Sequence, residues 1–238
     1  ISRIKLLIIF ILLLSSENAR CQSNLGIFEN NLDVGKTSLK GSVSYHVADQ
    51  EYLVEGSGKN MWFGEDEFHY LWKSVKGDFI LRTNIKFIGE GVNAHRKIGW
   101  MVRNSLDGAS KHVNATVHGD GLTSLQYRKI DGGDTEELKV QLKAPDLVQL
   151  ERKGDKMIMS VARNGDDWEQ VELLGSDLKN EVFVGLYVCS HDETVTEKAL
   201  FNNVRIIKPF GEDKVPYQDY IGSRLEVLEL ESGQRKVL

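Results

Sequence analysis

The sequence predicts an all-β protein, a two-sheet antiparallel β-sandwich, and three observations carry that expectation. Apolar and polar residues alternate with period two in run after run. The clearest sets Phe79, Leu81, Thr83, Ile85 and Phe87 against Arg82, Asn84 and Lys86. Turn signals recur at hairpin spacing, among them Gly154-Asp155 and Asn164-Gly165, dipeptides that suit the positive φ of tight hairpin turns. No segment has the 3.6-residue period of an amphipathic helix. Roughly ten to twelve short strands are expected on this pattern. A barrel is the structural alternative.

The chain has 238 residues, 41% of them hydrophobic and 8% aromatic, enough for one large all-β domain or two small ones with a sizeable core. Residues 1–21 are set apart from the fold. Arg3 and Lys5 precede an apolar run from Leu6 to Leu14, and the polar stretch SSENARC follows. A charged, an apolar and a small-residue region in that order read as a secretory signal peptide, and the apolar run is too short to span a bilayer. The expected location is therefore exported, periplasmic or secreted. Lipid anchoring at Cys21 is disfavoured, because Arg20 is a poor residue to precede a lipidated cysteine. Loss of residues 1–21 removes three cations and one anion and takes the net charge from -5 to -7. Such a balance argues against nucleic acid or anionic lipid as partners. Cys189 would then stand without a disulfide partner, as a small buried residue of the strand-like run VFVGLYVCS.

Residues 22–42 are polar and read as a loose leading edge. Strand patterns begin with SYHVAD and EYLVEG, and GSGKN at 56–60 turns the chain. In the next run Phe68, Tyr70 and Trp72 share one face, and His69, Leu71 and Lys73 the other. After the strand from Phe79 comes the stretch that organises the chain, His95 to Lys129. Ile98, Trp100 and Val102 alternate there with Gly99, Met101 and Arg103. Val113, Ala115 and Val117 alternate with Asn114, Thr116 and His118, and Leu125 and Tyr127 with Ser124, Gln126 and Arg128. Beyond the acidic loop DGGDTEE, the runs LKVQL, LVQLERKGDKMIMSVARNGDDWEQVEL, EVFVGLYVCS and ALFNNVRII complete the strands. From Lys208 the texture changes: KPFGEDKVPYQDYIG holds two of the three prolines and reads as a linker. RLEVLELESGQRKVL then reads as a strand, a Ser-Gly turn and the start of another strand.

Several of these runs resemble a known superfamily. LVQLERKGDKMIMSVARNGDDW is similar to the hairpin pair of concanavalin A-like sandwich domains, with an L-x-R-x-G strand, a back strand and a D-G-x-x-W-like turn. FHYLWKSVKGDF, HRKIGWMVRNSLDG and VHGDGLTSLQYR resemble a family of domains of unknown function within that superfamily. The resemblance covers about residues 27–207 and implies a concanavalin A-like jelly roll. RLEVLELESGQRKVL is similar to the opening of a TolB-like β-propeller blade. Together the two imply an exported architecture: signal peptide 1–21, sandwich 22–207, linker 208–222, and 223–238 as the first strands of a propeller. On that resemblance the chain is expected to be truncated at both ends, with the C-terminal propeller as a missing partner domain.

The superfamily holds lectins, carbohydrate-binding modules and glycoside hydrolases, so fold alone chooses no function. Retaining glycosidases of this fold usually carry E-x-D-x-x-E on one strand, which sets two acids about 5 Å apart. GEDEFHY and HDETVTE do not fit that spacing, and Glu65 and Glu67 fall in a loop. The six histidines form neither H-x-H nor H-E-x-x-H, and no calcium-loop spacing occurs around Asp120, Asp131 or Asp134. No metal or cofactor is therefore expected. No G-x-S-x-G is present, and the sequon Asn114-Ala115-Thr116 lies inside an expected strand.

What remains is the polar face of the organising stretch. Arg103, His118, Asp120, Gln126 and Arg128 supply planar or charged hydrogen-bonding groups of the kind that bind sugars. His69 and Lys73 extend that floor from a neighbouring strand. Tyr70, Trp72 and Trp100 are candidate stacking aromatics, although their alternation places them in the core. Arginine beside histidine also suits an acidic sugar. The expectation is a non-catalytic carbohydrate-binding module. The alternatives are a glycoside-acting hydrolase with His118 and Asp120 as acid and base, and a structural or protein-interaction scaffold.

Overall fold

The computed structural model describes residues 24–209 and two short strands near the C-terminus, Glu226–Leu228 and Arg235–Val237. In chain order the strands are β1 (Asn30–Val34), β2 (Ser42–His46), β3 (Glu51–Gly56), β4 (Phe68–Lys76), β5 (Phe79–Ile88), β6 (Lys97–Arg103), β7 (His112–His118) and β8 (Thr123–Arg128). They continue with β9 (Glu136–Lys139), β10 (Leu147–Lys153), β11 (Lys156–Ala162), β12 (Glu169–Leu173), β13 (Glu181–Cys189), β14 (Glu197–Ile207), β15 (Glu226–Leu228) and β16 (Arg235–Val237). Fourteen of them form two seven-stranded antiparallel sheets. The first has the order β1-β4-β13-β6-β7-β8-β9 and the second β12-β11-β10-β5-β14-β3-β2. This is an all-β, two-sheet jelly-roll sandwich.

The core lies between the sheets and follows the period-two pattern. Ile98, Trp100 and Val102 of β6, Val113, Ala115 and Val117 of β7, and Leu125 of β8 point inward. There they meet Phe79, Leu81, Val148, Leu150, Met159 and Phe201 of the second sheet. The strand count exceeds the expected ten to twelve chiefly because the leading segment is not loose. β1 pairs with β4, with Leu32 opposite Tyr70. A five-residue edge strand reading NNLDV has too few apolar positions to announce itself.

The outer face of the first sheet carries a second, smaller core. Val34, Met61, Phe68, Tyr70, Met101, Tyr187 and Cys189 are buried there, with Trp72 and Phe183 packed against them. Tyr70 and Trp72 therefore face outward from the sandwich, not into its main core, whereas Trp100 lies in the main core. Gly185 makes room for this arrangement. A Cβ at that position would clash with the Leu71 carbonyl and crowd the Tyr70 ring. The ring reaches across to donate its hydroxyl to the Met101 and Phe183 carbonyls at 3.0 Å each.

Residues 1–21 and most of the expected linker lie outside the described residues. β15 and β16 pair antiparallel, with Glu226 opposite Val237 and Leu228 opposite Arg235.

Candidate functional site

The register of the first sheet places its polar residues in two groups. Arg103 stands opposite His112, and His112 opposite Arg128, at one end of β6, β7 and β8. Lys97 stands opposite His118 at the other end, with Asn114 and Gln126 opposite each other between the two groups. All of these side chains are buried beneath loops, so the face is neither a solvated surface nor an open floor.

The first group is held by Asp66, which enters from the loop before β4. Arg128 donates to its two carboxylate oxygens at 3.0 and 2.6 Å, and Arg103 lies 3.4 Å away. Both guanidiniums also bind loop carbonyls, Arg128 those of Phe63, Gly108, Ser110 and Gly133, and Arg103, through Nε and Nη2, those of Ser105 and Asp107, while Arg103 Nη1 is buried without a hydrogen-bond partner. Three loops, at 57–67, 104–111 and 129–135, are tied together by this cluster. Burial alone favours a neutral Asp66, but His112 and the two guanidiniums oppose it and hold the carboxyl below its ordinary range. Burial drives His112 below its own ordinary value, against the opposing pull of Asp66. Arg103 and Arg128 are thus committed to internal partners.

The second group opens onto a cavity of about 340 Å³ lined by Asn60, Trp62, His95, Lys97, His118, Leu122, Glu137, Lys139 and His191. This volume falls in the range of small-ligand sites. β6 supplies Lys97, β7 His118, and β9 Glu137 and Lys139. The 57–67 loop supplies Asn60 and the half-buried Trp62, and His191 follows β13. The imidazoles of His118 and His191 flank that of His95, with ring centroids 5.9 and 5.6 Å from it. The Gln126 amide donates to Nε2 of His118 at 3.1 Å, which puts the His118 proton on Nδ1. That nitrogen, the Gln126 carbonyl oxygen and the Asn114 amide nitrogen are buried without a partner. Burial first, then Lys97, pushes the His118 pKa down to about 3, so its ring is neutral at physiological pH. Burial also lowers the pKa of Lys97 and His191.

The seven residues expected to form a binding floor are therefore divided. His118 lines the cavity, and Gln126 orients it from beneath. Asp120 is exposed in the turn after β7, where its carboxylate accepts from the Leu122 N–H at 3.0 Å. His69 and Lys73 do not extend this floor, because they sit on the face of β4 that carries Leu71 and turns toward the second sheet. His69 is buried there with Nδ1 2.7 Å from Asp33, and burial lowers its pKa. Lys73 lines a larger groove of about 880 Å³ with Ile27, Glu29, Lys76, Glu181 and Val204. That groove is lined by exposed or half-exposed charged side chains, among them Arg205, Lys208 and the Lys76–Glu181 pair, whereas the smaller cavity is lined by His118, whose Nδ1 is buried without a partner, with the unpaired Gln126 and Asn114 atoms on the same face of the sheet. The smaller cavity is the candidate site.

Asn60, Trp62, His95, Lys97, Glu137 and His191 belong to this site and were not singled out from sequence. Lys97 was within reach, since it keeps the two-residue phase of Met101 and Arg103. Asn114 is fully buried within β7, so the sequon nitrogen is inaccessible in the folded protein. Cys189 is buried and unpaired, its thiol pushed up to about 11 by burial. Among the described residues no group of three or more His, Cys, Asp or Glu side chains is placed to hold a metal ion.

Neither a protein-family model nor a curated protein sequence matches the chain. Solved structures do match it in fold. A functionally unknown protein from Saccharomyces cerevisiae superposes with a TM-score of 0.56 at 15% identity, over 76% of this chain and 97% of that one. The carbohydrate binding module CBM66 from Bacillus subtilis gives 0.51 at 17% identity, over 76% and 99% of the two chains. The GH43 protein BlXynB from Bacillus licheniformis gives 0.52 at 11% identity, over 75% of this chain but 39% of its own. At these identities the likeness is one of fold, a β-sandwich architecture that this chain shares with a carbohydrate-binding module and with part of a glycoside hydrolase family protein.

Proposed function

We propose that the chain is a non-catalytic carbohydrate-binding module, exported and joined to a TolB-like propeller. The observation that carries the reading is the cavity itself, where the half-buried ring of Trp62 stands beside neutral imidazole, amide and ammonium groups. Sugars are recognised by that combination: an aromatic face against C–H groups, and planar polar groups against hydroxyls. The CBM66 fold likeness supports it. Glu137 is the one carboxylate among the residues lining the cavity, and it pairs with Lys139 at 2.9 Å. Glycoside hydrolysis usually uses two carboxylates flanking the bond, so a binding role accords better with this lining than the hydrolase alternative. The pattern of residues 1–21 supports export, and that of residues 223–238 supports the propeller.

The test is calorimetric titration of the full chain with a broad panel of oligosaccharides, alongside Trp62→Ala. Saturable binding that weakens about ten-fold or more in the variant, with an unchanged melting temperature, is expected. Release of reducing ends from a bound glycan would replace the module with a hydrolase. Absence of binding to any glycan would favour the scaffold reading.

A further inference from the structure

Lys97 is the least explained charge in the protein. Its side chain is 2% exposed, yet among the described residues no carboxylate lies within ion-pair distance of its ammonium. Each negative group nearby is engaged elsewhere or uncharged. Asp66 is held by Arg128 and Arg103, Glu137 is paired with Lys139, and the buried Cys189 thiol stays protonated at neutral pH. A buried cation without a counter-ion is costly, and it is tolerated where a ligand completes it. His118, directly opposite on β7, presents an unpartnered Nδ1–H beside the same cavity, and its neutral ring adds no competing charge.

We propose that the cavity takes a monoanionic saccharide, one whose ring carries a carboxylate or a sulfate ester, with Lys97 as counter-ion and His118 as neutral donor. This rests on the carbohydrate reading of the site and names its ligand class. The charge count sets the monoanion: Lys139 and Glu137 cancel, and Lys97 is left over. Trp62 and Asn60, which line the cavity from the 57–67 loop, meet the uncharged part of the sugar. A neutral sugar would fill the same space and leave the ammonium without a counter-ion, which is the basis of discrimination.

The experiment compares four probes by calorimetry on the full chain. These are galacturonic acid oligomers, the same oligomers as methyl esters, sulfated galactan oligomers, and neutral galactan oligomers. The acidic probes are expected to bind at least ten-fold more tightly than their neutral counterparts, with affinity falling as salt rises. Comparing the first and third probes distinguishes carboxylate from sulfate. Lys97→Met, which keeps the length of the stem, is expected to abolish the preference while leaving weak binding of neutral oligomers that still depends on Trp62. Lys97→Gln serves as a second variant should the first fail to fold. Equal affinity for acidic and neutral probes, or a preference that survives loss of Lys97, overturns the anionic ligand and leaves the carbohydrate reading standing. No binding of any probe, with none across the broad glycan panel, overturns the carbohydrate reading and this inference with it.

Discussion

Replacing Asp66 by Asn tests the buried cluster most directly. The side chain is fully buried, accepts two bonds from Arg128 at 3.0 and 2.6 Å, and lies 3.4 Å from Arg103. Asn has almost the same volume, so packing is retained and only charge and acceptor capacity are lost. Two guanidiniums then remain in the interior without an anion. Removing one partner of a buried pair costs about 3–5 kcal/mol, and a domain of this size loses about 2–4 °C of melting temperature per kcal/mol. The expected loss is about 3–5 kcal/mol in urea unfolding and roughly 6–20 °C by calorimetry. Glu181→Gln is the control, because its pair with Lys76 at 3.4 Å is exposed and exposed pairs are worth about 1 kcal/mol or less. A pH series extends the test. The folded-state pKa of Asp66 is depressed, so its contribution is present above the ordinary carboxylate value and is lost as pH falls through the lower folded value. Asp66→Asn removes that acid-sensitive part. A loss no larger than that of Glu181→Gln would refute the claim that this cluster holds the loops.

Gly185→Ala is expected to destabilise by about 1–3 kcal/mol in the same unfolding assay, because the new methyl group meets the Leu71 carbonyl and the Tyr70 ring. Tyr70→Phe removes the hydroxyl shared by two buried carbonyls, and a loss of about 1–3 kcal/mol is expected. His69, His112, His118 and His191 all have lowered pKa values, His118 to about 3. Their neutral forms stabilise the fold above the ordinary imidazole value of about 6.5, and that stability drains as pH falls toward the folded values. Melting temperature should therefore decline steadily from pH 6.5 to 4, with a shallower decline in His118→Gln.

The sandwich was legible because its strands alternate cleanly. The phase of Ile98, Trp100 and Val102 located the core, and by exclusion it put Arg103, His118, Gln126 and Arg128 on one opposite face. Alternation cannot say what covers a face. Asp66 stands well before Arg103 and Arg128 in sequence, in a loop without periodic signal, and nothing local to GEDEFHY marks one acid as buried and two as solvated. The cavity was hidden for the same reason, since its aromatic wall comes from a loop and its third imidazole from the end of β13. His69 and Lys73 share the phase of Leu71, which points them toward the second sheet, and the same alternation puts Tyr70 and Trp72 on the outer side.

The rims of the two sheets have a consequence for behaviour in concentrated solution. β9 ends the first sheet and β12 the second, and their sequences, EELK and EQVEL, place carboxylates along both. An unpaired strand rim is a template on which another copy can add its own strand and begin an aggregate, and charged side chains are a common defence. Here three of the four glutamates on the two terminal strands are paired with lysines, Glu136 with Lys129, Glu137 with Lys139 and Glu172 with Lys156, so a second molecule approaching either rim must disturb ion pairs before it reaches the backbone donors and acceptors. That protection weakens in acid, where the carboxylates neutralise.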